Sequence, residues 1–178
     1  MREEELEVLL YGHPDLRVKC DPVETFDDEL KSLARRMERT MLAERGIGLA
    51  APQVGVTRRL FLAEDEREGI PCTLALVNPE ITFLSEERDK FGEGCLSFPD
   101  VFADVNRPVR VRVRYQDLEG AEHELEDDGL LARVIQHEHD HLDGKLFVDH
   151  LPMIKRKLLA RKLKDLQRRA REQQQTGR

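Results

Sequence analysis

Residues 137–141 of the chain read His137-Glu138-His139-Asp140-His141. On an α-helix, residues four apart lie one turn above each other on the same face, so His137 and His141 can bind one metal ion while Glu138 stands beside it. His139 lies roughly 200° away around the helix axis, and we interpret it as a residue that faces solvent or supports the site from behind. The stretch therefore predicts a central helix that carries a hydrolytic metal site.

The residues on either side of this stretch support the helix. Asp127 or Asp128 can cap its N-terminus, and Gly144 stands where a left-handed residue commonly ends a helix. Between these ends, four apolar residues recur at helical spacing: Leu130, Leu131, Val134 and Ile135. Both histidines therefore lie well inside the predicted helix.

A catalytic site of this kind uses three protein ligands and keeps a fourth position for water. Two protease patterns would complete the site downstream, and the sequence fits neither. Phe147 stands where a third histidine would be needed, and the only later glutamate is Glu172, in the polar tail. The histidine pair also occurs by chance on helices that bind no metal, and that alternative stays open without a third ligand.

Cys95, within Glu93-Gly94-Cys95-Leu96-Ser97, is the better third ligand because its glycine-flanked backbone allows close approach. The other two cysteines, Cys20 and Cys72, are interpreted as inert thiols. Three scattered cysteines do not make a disulfide framework, which favours a reducing compartment.

A third segment, residues 46–55, is small, apolar and rich in glycine, with Gln53 as its one uncharged amide. It is not a phosphate-binding loop, because no lysine follows it and its glycines are spaced differently. Gln53 could donate a hydrogen bond to an oxyanion beside a nucleophile. The alternative is a tightly packed turn that leads into a strand at residues 59–63.

Together the three segments resemble the polypeptide deformylase family, whose members carry G-x-G-x-A-A-x-Q, then E-G-C-x-S, then Q-H-E-x-D-H. Here these motifs are Gly46 to Gln53, Glu93 to Ser97 and Gln136 to His141, in the same order. The resemblance extends from His13 to Phe147. It implies that residues 1–150 form a deformylase catalytic domain, to which residues 151–178 belong as a basic C-terminal helix and tail.

The resemblance implies that Cys95, His137 and His141 hold one divalent metal ion. Fe²⁺ would be the physiological ion, with Zn²⁺, Ni²⁺ or Co²⁺ as substitutes. A water molecule activated by the metal would attack the formyl carbonyl of N-formylmethionine on nascent polypeptides, releasing formate. Glu138 would take the proton of that water and pass it to the leaving amine. The expected enzyme is an amide hydrolase that acts on linear amides during translation.

The resemblance also places Gln53 and the Leu96 backbone N–H at the developing oxyanion. An extended peptide would lie along Ile47 and Gly48 in a strand-like manner. The proposed pocket for the methionine side chain is formed by Ile47, Phe91, Leu130 and Val134, for which ordinary core packing is the alternative. Glu93 is expected at the substrate site too, and Glu93 and Gln136 are expected to orient the metal ligands.

The chain of 178 residues fits one domain, and no stretch approaches the roughly 20 apolar residues of a membrane span. The order of elements predicts an α+β fold with an N-terminal helix at residues 27–44, antiparallel or mixed sheets, the metal helix and a C-terminal helix. Valines alternate with arginines over residues 109–114, which predicts a half-buried strand. Residues 117–120 then predict a hairpin turn.

The charge is uneven: the whole chain carries −7, yet from Met153 onward ten basic residues face only Asp165 and Glu172, a local charge of +8. An apolar stripe of Leu158, Leu159, Leu163 and Leu166 marks a C-terminal helix that begins near Pro152. One hypothesis is that its basic face contacts ribosomal RNA. The alternative is a solvated helix that only docks on the domain through the stripe.

Two other functions stay open at this point. The metal could be purely structural in a protein that binds the ribosome or RNA through its basic tail, or the chain could be a deformylase relative with a different substrate. The acidic first residues do not look like a transit peptide, so we expect a bacterial cytoplasmic protein, with an organellar location as the alternative. We expect a monomer.

Overall fold

The computed structural model describes residues 6–176, which fold as α+β, as the order of elements predicts. The helices are α1 (Asp28–Ala43), α2 (Leu130–Leu142) and α3 (Met153–Thr176). The strands are β1 (Gly48–Ala50), β2 (Leu60–Asp65), β3 (Cys72–Leu84), β4 (Arg88–Glu93), β5 (Ala103–Pro108), β6 (Val111–Gln116) and β7 (Glu122–Asp127).

Helix α1 begins where Asp27 caps it, with a carboxylate oxygen that accepts a hydrogen bond from the Leu30 N–H at 3.0 Å. Its buried residues recur every three or four positions, so one face of the helix is apolar. That face packs against β1 and β2 and buries Leu30, Met37 and Met41 with Leu49, Leu60 and Leu62.

Two antiparallel sheets account for the named strands: five strands in the order β1-β2-β3-β6-β7, and the pair β4-β5. Of the two sheet types that the sequence left open, the strands thus adopt the antiparallel one. On β6, Val111 and Val113 are buried while Arg114 is exposed, as the alternation predicts. The predicted turn closes where the Gly120 N–H donates to the Asp117 carbonyl at 3.1 Å, and β7 then pairs with β6.

Helix α2 lies across the five-stranded sheet and buries its apolar side against Ala50, Phe61, Ala63, Val111 and Val113. The N-cap position is held by Gly129 rather than by the predicted Asp127 or Asp128, but Asp127 Oδ2, two residues earlier, still accepts hydrogen bonds from Gly129 N–H and Ala132 N–H, both at 2.8 Å. Gly144 ends it with φ +69°, and a Cβ there would lie 2.5 Å from the Arg17 carbonyl oxygen. Both predicted ends of the helix are therefore near the observed ones.

Helix α3 packs along a second apolar cluster that contains Phe98, Val101 and Phe147, with Leu159, Leu163 and Leu166 facing it. The predicted stripe was wrong at Leu158, which is 81% exposed; Ala170, fully buried, continues the stripe at the other end. No helix in the described part of the chain is long and apolar enough to cross a membrane.

Candidate metal centre and active site

Cys95, His137 and His141 converge in the structure. The two histidines lie one turn apart on α2, and Cys95 follows β4, with its Sγ 3.3 Å from His141 Nε2. One ligand atom from each residue lies within 4.8 Å of the others, and within residues 6–176 no other such group of His, Cys, Asp or Glu is found. A tetrahedral site with bonds of about 2.0–2.3 Å has ligand–ligand edges of roughly 3.5 Å, so these three residues fit a divalent ion.

The surroundings of His141 favour the neutral imidazole, which is the form that binds a metal ion. Burial, and the neighbouring His137 charge, hold the pKa of His141 well below its ordinary value, so its imidazole is neutral. Burial lowers the pKa of His137 as well, but hydrogen bonds with Cys95 and Glu93 raise it well above its ordinary value. Binding of a metal ion to Cys95, His137 and His141 must therefore displace a proton from His137.

Glu93 fixes the orientation of His137. The imidazole Nδ1 lies 3.0 Å from Glu93 Oε2 and donates to it, which leaves Nε2 for the metal. Burial alone would raise the pKa of Glu93, but hydrogen bonds from His137 and Arg107 lower it to about 2. The carboxylate is thus ionised at neutral pH, as a partner for a ligating imidazole should be.

Arg107 is a buried cation that the sequence reasoning missed. Its guanidinium donates to Glu93 at 2.6 and 3.0 Å and to Asp140 Oδ2 at 2.7 Å, and its side chain is only 4% exposed. Asp140 in turn accepts from His150 Nε2 at 2.7 Å. Arg107 therefore links Glu93, the hydrogen-bond partner of His137, to Asp140, which precedes His141 in the sequence.

Glu138 points into the same site. It is buried, and its Oε2 has no hydrogen-bond partner among the described residues. A Cβ on Gly48 would lie 2.5 Å from Glu138 Oε1, so only a glycine at this position of β1 leaves room for the carboxylate. Burial raises the pKa of Glu138 to about 7, a value suited to taking and giving a proton near neutral pH.

Gln53 presents its amide N–H groups to the site. Its Oε1 accepts a hydrogen bond from the Ala50 N–H at 2.8 Å, which fixes the orientation of the amide. Its Nε2 then lies 3.3 Å from Cys95 Sγ and 3.2 Å from Ser97 Oγ. A rigid, buried donor beside the ligands is what stabilisation of an oxyanion requires.

A cleft with a volume of about 520 Å³ opens onto these groups. Its lining contains the residues predicted for the reaction and for the substrate, namely Gln53, Leu96, Glu138, Ile47, Gly48, Glu93, Phe91, Leu130 and Val134, together with Cys95 and His137. The third residue of the ligand set, His141, is not in this lining, and its Nε2 lies 3.3 Å from Cys95 Sγ.

Two residues next to the ligands in sequence make their contacts elsewhere, although Gln136 was expected to orient a ligand. Gln136 donates to the carbonyls of Pro108 and Ala132, both at 3.0 Å, so its amide anchors α2 to the end of β5. His139 points away from the ligands, as predicted, and accepts from Arg59 at 3.3 Å with only 17% of its side chain exposed.

Further cleft residues were not identified from the sequence: Arg45, Asp100, Phe102 and Arg133. Arg45 and Asp100 have φ values of +56° and +60°, a left-handed conformation that only the folded structure reveals. Phe102 is 73% exposed beside Gly94. None of the four lies in a recognisable motif, so the sequence alone did not indicate that they line the cleft.

The comparison with known proteins decides the family. A family model of polypeptide deformylases matches residues 5–157. A peptide deformylase of Bartonella tribocorum is 49% identical over 157 residues, which cover 85% of this chain and 86% of the relative.

The chain belongs to the polypeptide deformylase family.

Solved structures of deformylases have the same fold. The Thermus thermophilus enzyme superposes with a TM-score of 0.84 at 44% identity, covering 91% of this chain and 97% of the other. Peptide deformylase 1B of Arabidopsis thaliana gives 0.88 at 36% identity, covering 94% and 93%. The family consists of metal-dependent hydrolases, and this chain is an enzyme of that type.

Proposed function

We propose that this deformylase removes the formyl group from N-formylmethionyl peptides with Glu138 as its general base and acid. The observation that carries the proposal is the buried, unpartnered Oε2 of Glu138 in a cleft lined by Cys95 and His137. A structural metal site offers no comparable explanation, because such sites take a fourth protein ligand and have no use for an adjacent buried carboxylate.

Cys95, His137 and His141 would hold the divalent ion. When bound, the ion supplies Lewis acidity, which makes water more acidic and polarises a carbonyl oxygen. Glu138 accepts a proton from the attacking water and delivers it to the amine of methionine as the C–N bond breaks. Formate and a peptide with a free N-terminal methionine are the products.

Gln53 and Leu96 act on the carbonyl oxygen as negative charge develops there. The Gln53 Nε2 donates one hydrogen bond, and its position is fixed because Ala50 holds the other end of the amide. The Leu96 backbone N–H donates another. The loss of one such donor typically costs on the order of 10²–10³ in rate.

The substrate backbone adds to the free edge of β1, which, within residues 6–176, pairs with β2 alone in the sheet. Pairing along Ile47 and Gly48 needs no side-chain readout, so many sequences after the methionine are accepted. The methionine side chain enters the apolar part of the cleft, which is lined by Ile47, Phe91, Leu130 and Val134.

For the metal we propose Fe²⁺ as the physiological ion, with Zn²⁺, Ni²⁺ or Co²⁺ able to replace it. One thiolate and two imidazoles suit several of these ions, and the divalent affinity order favours zinc over ferrous iron at equal supply. The choice in the cell therefore depends on metal availability rather than on the ligand set.

The test is formate release from formyl-Met-Ala-Ser by anaerobically purified protein, alongside Glu138→Gln. We expect the parent to release formate and the variant to lose most of this activity while it retains the metal. An active Glu138→Gln variant with full metal content would contradict the proposed role of Glu138. A parent that holds metal but leaves the formyl peptide intact would contradict the proposed reaction.

We also propose that α3 contacts ribosomal RNA. Four basic residues follow each other at spacings of three and four along α3 and form one exposed stripe: Arg161, Lys164, Arg168 and Arg171. They line a groove together with Pro99 and Asp100, which also line the catalytic cleft. A phosphate backbone in this groove would place the cleft near emerging chains.

The ribosome proposal is best tested by charge reversal, because truncation would also remove the buried Leu166 and Ala170. We expect Arg161→Glu, Lys164→Glu and Arg171→Glu together to weaken ribosome binding and flatten its salt dependence, with peptide turnover unchanged. The matched control reverses the exposed Arg88, Lys90 and Arg114 on β4 and β6. Equal binding by the two triple variants would contradict the proposal.

We also propose that the protein is a monomer in a bacterial cytoplasm. Residues 151–178 would then be part of the catalytic domain. The packing of α3 supports a single domain, since Gln173 accepts from the Leu10 N–H at 3.2 Å and donates to the Val8 carbonyl at 2.9 Å. These contacts join the two ends of the described chain.

A further inference from the structure

Ser97 ends the Glu93–Ser97 motif, and the proposed reaction gives its side chain no role. The residue is fully buried and is not part of the lining of the catalytic cleft. Its Oγ accepts a hydrogen bond from Gln53 Nε2 at 3.2 Å. A hydroxyl that contacts an oxyanion donor but not the cleft can affect the reaction through that donor.

The side-chain amide of Gln53 is held at both its oxygen and its nitrogen. The Ala50 N–H donates to Gln53 Oε1 at 2.8 Å, which excludes the flipped amide because two N–H groups would then face each other. Ser97 Oγ accepts one of the two protons on Nε2. The other proton is directed toward the metal ligands, with Cys95 Sγ 3.3 Å from Nε2.

A short N-terminal segment holds the backbones of Gln53 and Ser97 next to each other. The Leu9 N–H donates to the Gln53 carbonyl at 2.7 Å, and the Tyr11 N–H donates to the Ser97 carbonyl at 2.9 Å. Gln53 and Ser97 are 44 residues apart in the chain. The contact between their side chains therefore rests on a backbone that is itself fixed.

We infer that Ser97 is a positioning residue that directs the second N–H of Gln53 Nε2 at the developing oxyanion. The inference rests on the proposed function and adds a residue to it. Oxyanion donors are effective because their direction is set before the reaction begins. Without the Ser97 hydroxyl, the amide would keep its hydrogen bond from Ala50 but could turn about it, and a buried N–H would lose its acceptor. The donor would then be present but poorly directed.

The experiment is a double-mutant cycle that measures kcat and KM for formyl-Met-Ala-Ser. We expect Ser97→Ala to lower kcat about tenfold at nearly unchanged KM, which is less than the 10²–10³ typical for loss of the donor itself. Gln53→Met keeps the volume of the side chain but has no N–H. In that background Ser97→Ala should change kcat by less than about twofold, because no donor remains to be directed.

A purely structural role for Ser97 predicts a different result. If the hydroxyl only stabilises the fold, its loss should lower kcat by the same factor whether or not Gln53 is present. Ser97→Thr keeps the hydroxyl and should retain more of the kcat than Ser97→Ala.

The matched control is Thr40→Val, which removes another buried hydroxyl. Thr40 Oγ1 accepts from the Leu6 N–H at 2.8 Å, and Thr40 does not line the cleft. We expect this variant to be less stable in urea with an unchanged kcat. An unchanged kcat in Ser97→Ala, an equal fall in Thr40→Val, a Ser97→Thr variant no more active than Ser97→Ala, or a full Ser97→Ala effect in Gln53→Met would each overturn the inference.

Failure of the proposed reaction gives a distinct result, because the parent would then release no formate. Ser97 is in that case tested by nuclear magnetic resonance of the zinc-loaded protein, through hydrogen exchange of the Gln53 Nε2 protons. Their signals are identified by their loss in Gln53→Met. Ser97→Ala should speed this exchange at least about twofold, since one hydrogen bond is lost, and Thr40→Val should leave it unchanged. Equal exchange in the parent and Ser97→Ala would overturn the inference.

Discussion

Glu138 shows how burial changes the acid–base properties of one residue. A glutamate in water is ionised well below neutral pH, but burial raises the pKa of Glu138 to about 7. Its unpartnered Oε2 is then available to a water molecule in the cleft. The residue type was evident from the motif, and the environment that tunes it was not.

The raised pKa of Glu138 predicts the acid side of the pH–rate profile. A general base works only when ionised, so kcat/KM should fall about tenfold per pH unit below the pKa of Glu138. Burial sets that pKa at about 7, and a bound cation would lower it, so the midpoint should lie no higher than about 7. Steady-state kinetics over a range of pH measure this. A rate that stays constant down to the pH at which the chain unfolds would contradict the role of Glu138.

At this scale the residues proposed for the chemistry are easier to find in the sequence than the residues that support them. Cys95, His137 and Glu138 lie within short motifs whose spacing has a physical reason. Arg107 and Arg133 bind Glu93 from β5 and from α2, and each is one of many arginines in a highly charged chain. Which arginine reaches a buried carboxylate depends on how distant segments pack, so no local pattern marks it.

At the scale of elements, the approach of β1 to α2 is the feature on which the site depends. Gly48 on β1 leaves no space for a side chain, because a Cβ would lie 2.5 Å from Glu138 Oε1 and 2.9 Å from Val134 Cγ1. The strand can therefore lie directly against the helix that carries the buried Glu138 carboxylate.

Gly48→Ala should accordingly displace Glu138. We expect a loss of about 10²-fold in kcat, as for a misplacement of about 1 Å, and about 1–3 kcal/mol lower stability, with metal content unchanged. Formate release, urea unfolding and metal analysis measure the three quantities. Gly92→Ala on β4 is the control, since a Cβ there meets only Asp104 Oδ1 at 3.8 Å. Equal activity of the two variants would contradict the account of this contact.

Local patterns predicted the helices and the β6–β7 hairpin well, because caps, turns and apolar periods are encoded in neighbouring residues. They could not predict that β4 and β5 form a sheet of their own while β3 pairs with β6. Strand order depends on contacts between residues far apart in sequence. Leu158 shows the same limit, because it has helical spacing and yet is 81% exposed.

At the scale of the whole molecule, α3 packs against the rest of the domain and contributes to its second apolar cluster. Leu166 is 2% exposed within the cluster that also contains Phe98 and Phe147. Phe98 also lines the catalytic cleft. The C-terminal helix thus packs on the wall of the active site.

Leu166→Ala should lower the free energy of unfolding by about 2–5 kcal/mol, because it creates a cavity in this cluster. Leu158→Ala, on the exposed side of the same helix, should change it by less than about 0.5 kcal/mol. Urea unfolding followed by circular dichroism should show one cooperative transition for both variants. A separate early transition for α3 would contradict the single-domain proposal.

The central claim is that one metal ion held by Cys95, His137 and His141 makes this chain a deformylase. Its most direct test is to titrate Fe²⁺ or Ni²⁺ anaerobically into metal-depleted protein while formate release from formyl-Met-Ala-Ser is measured. Activity should rise in proportion to bound metal and stop rising at one ion per chain. Activity that does not depend on bound metal, or one bound ion without formate release, would contradict it.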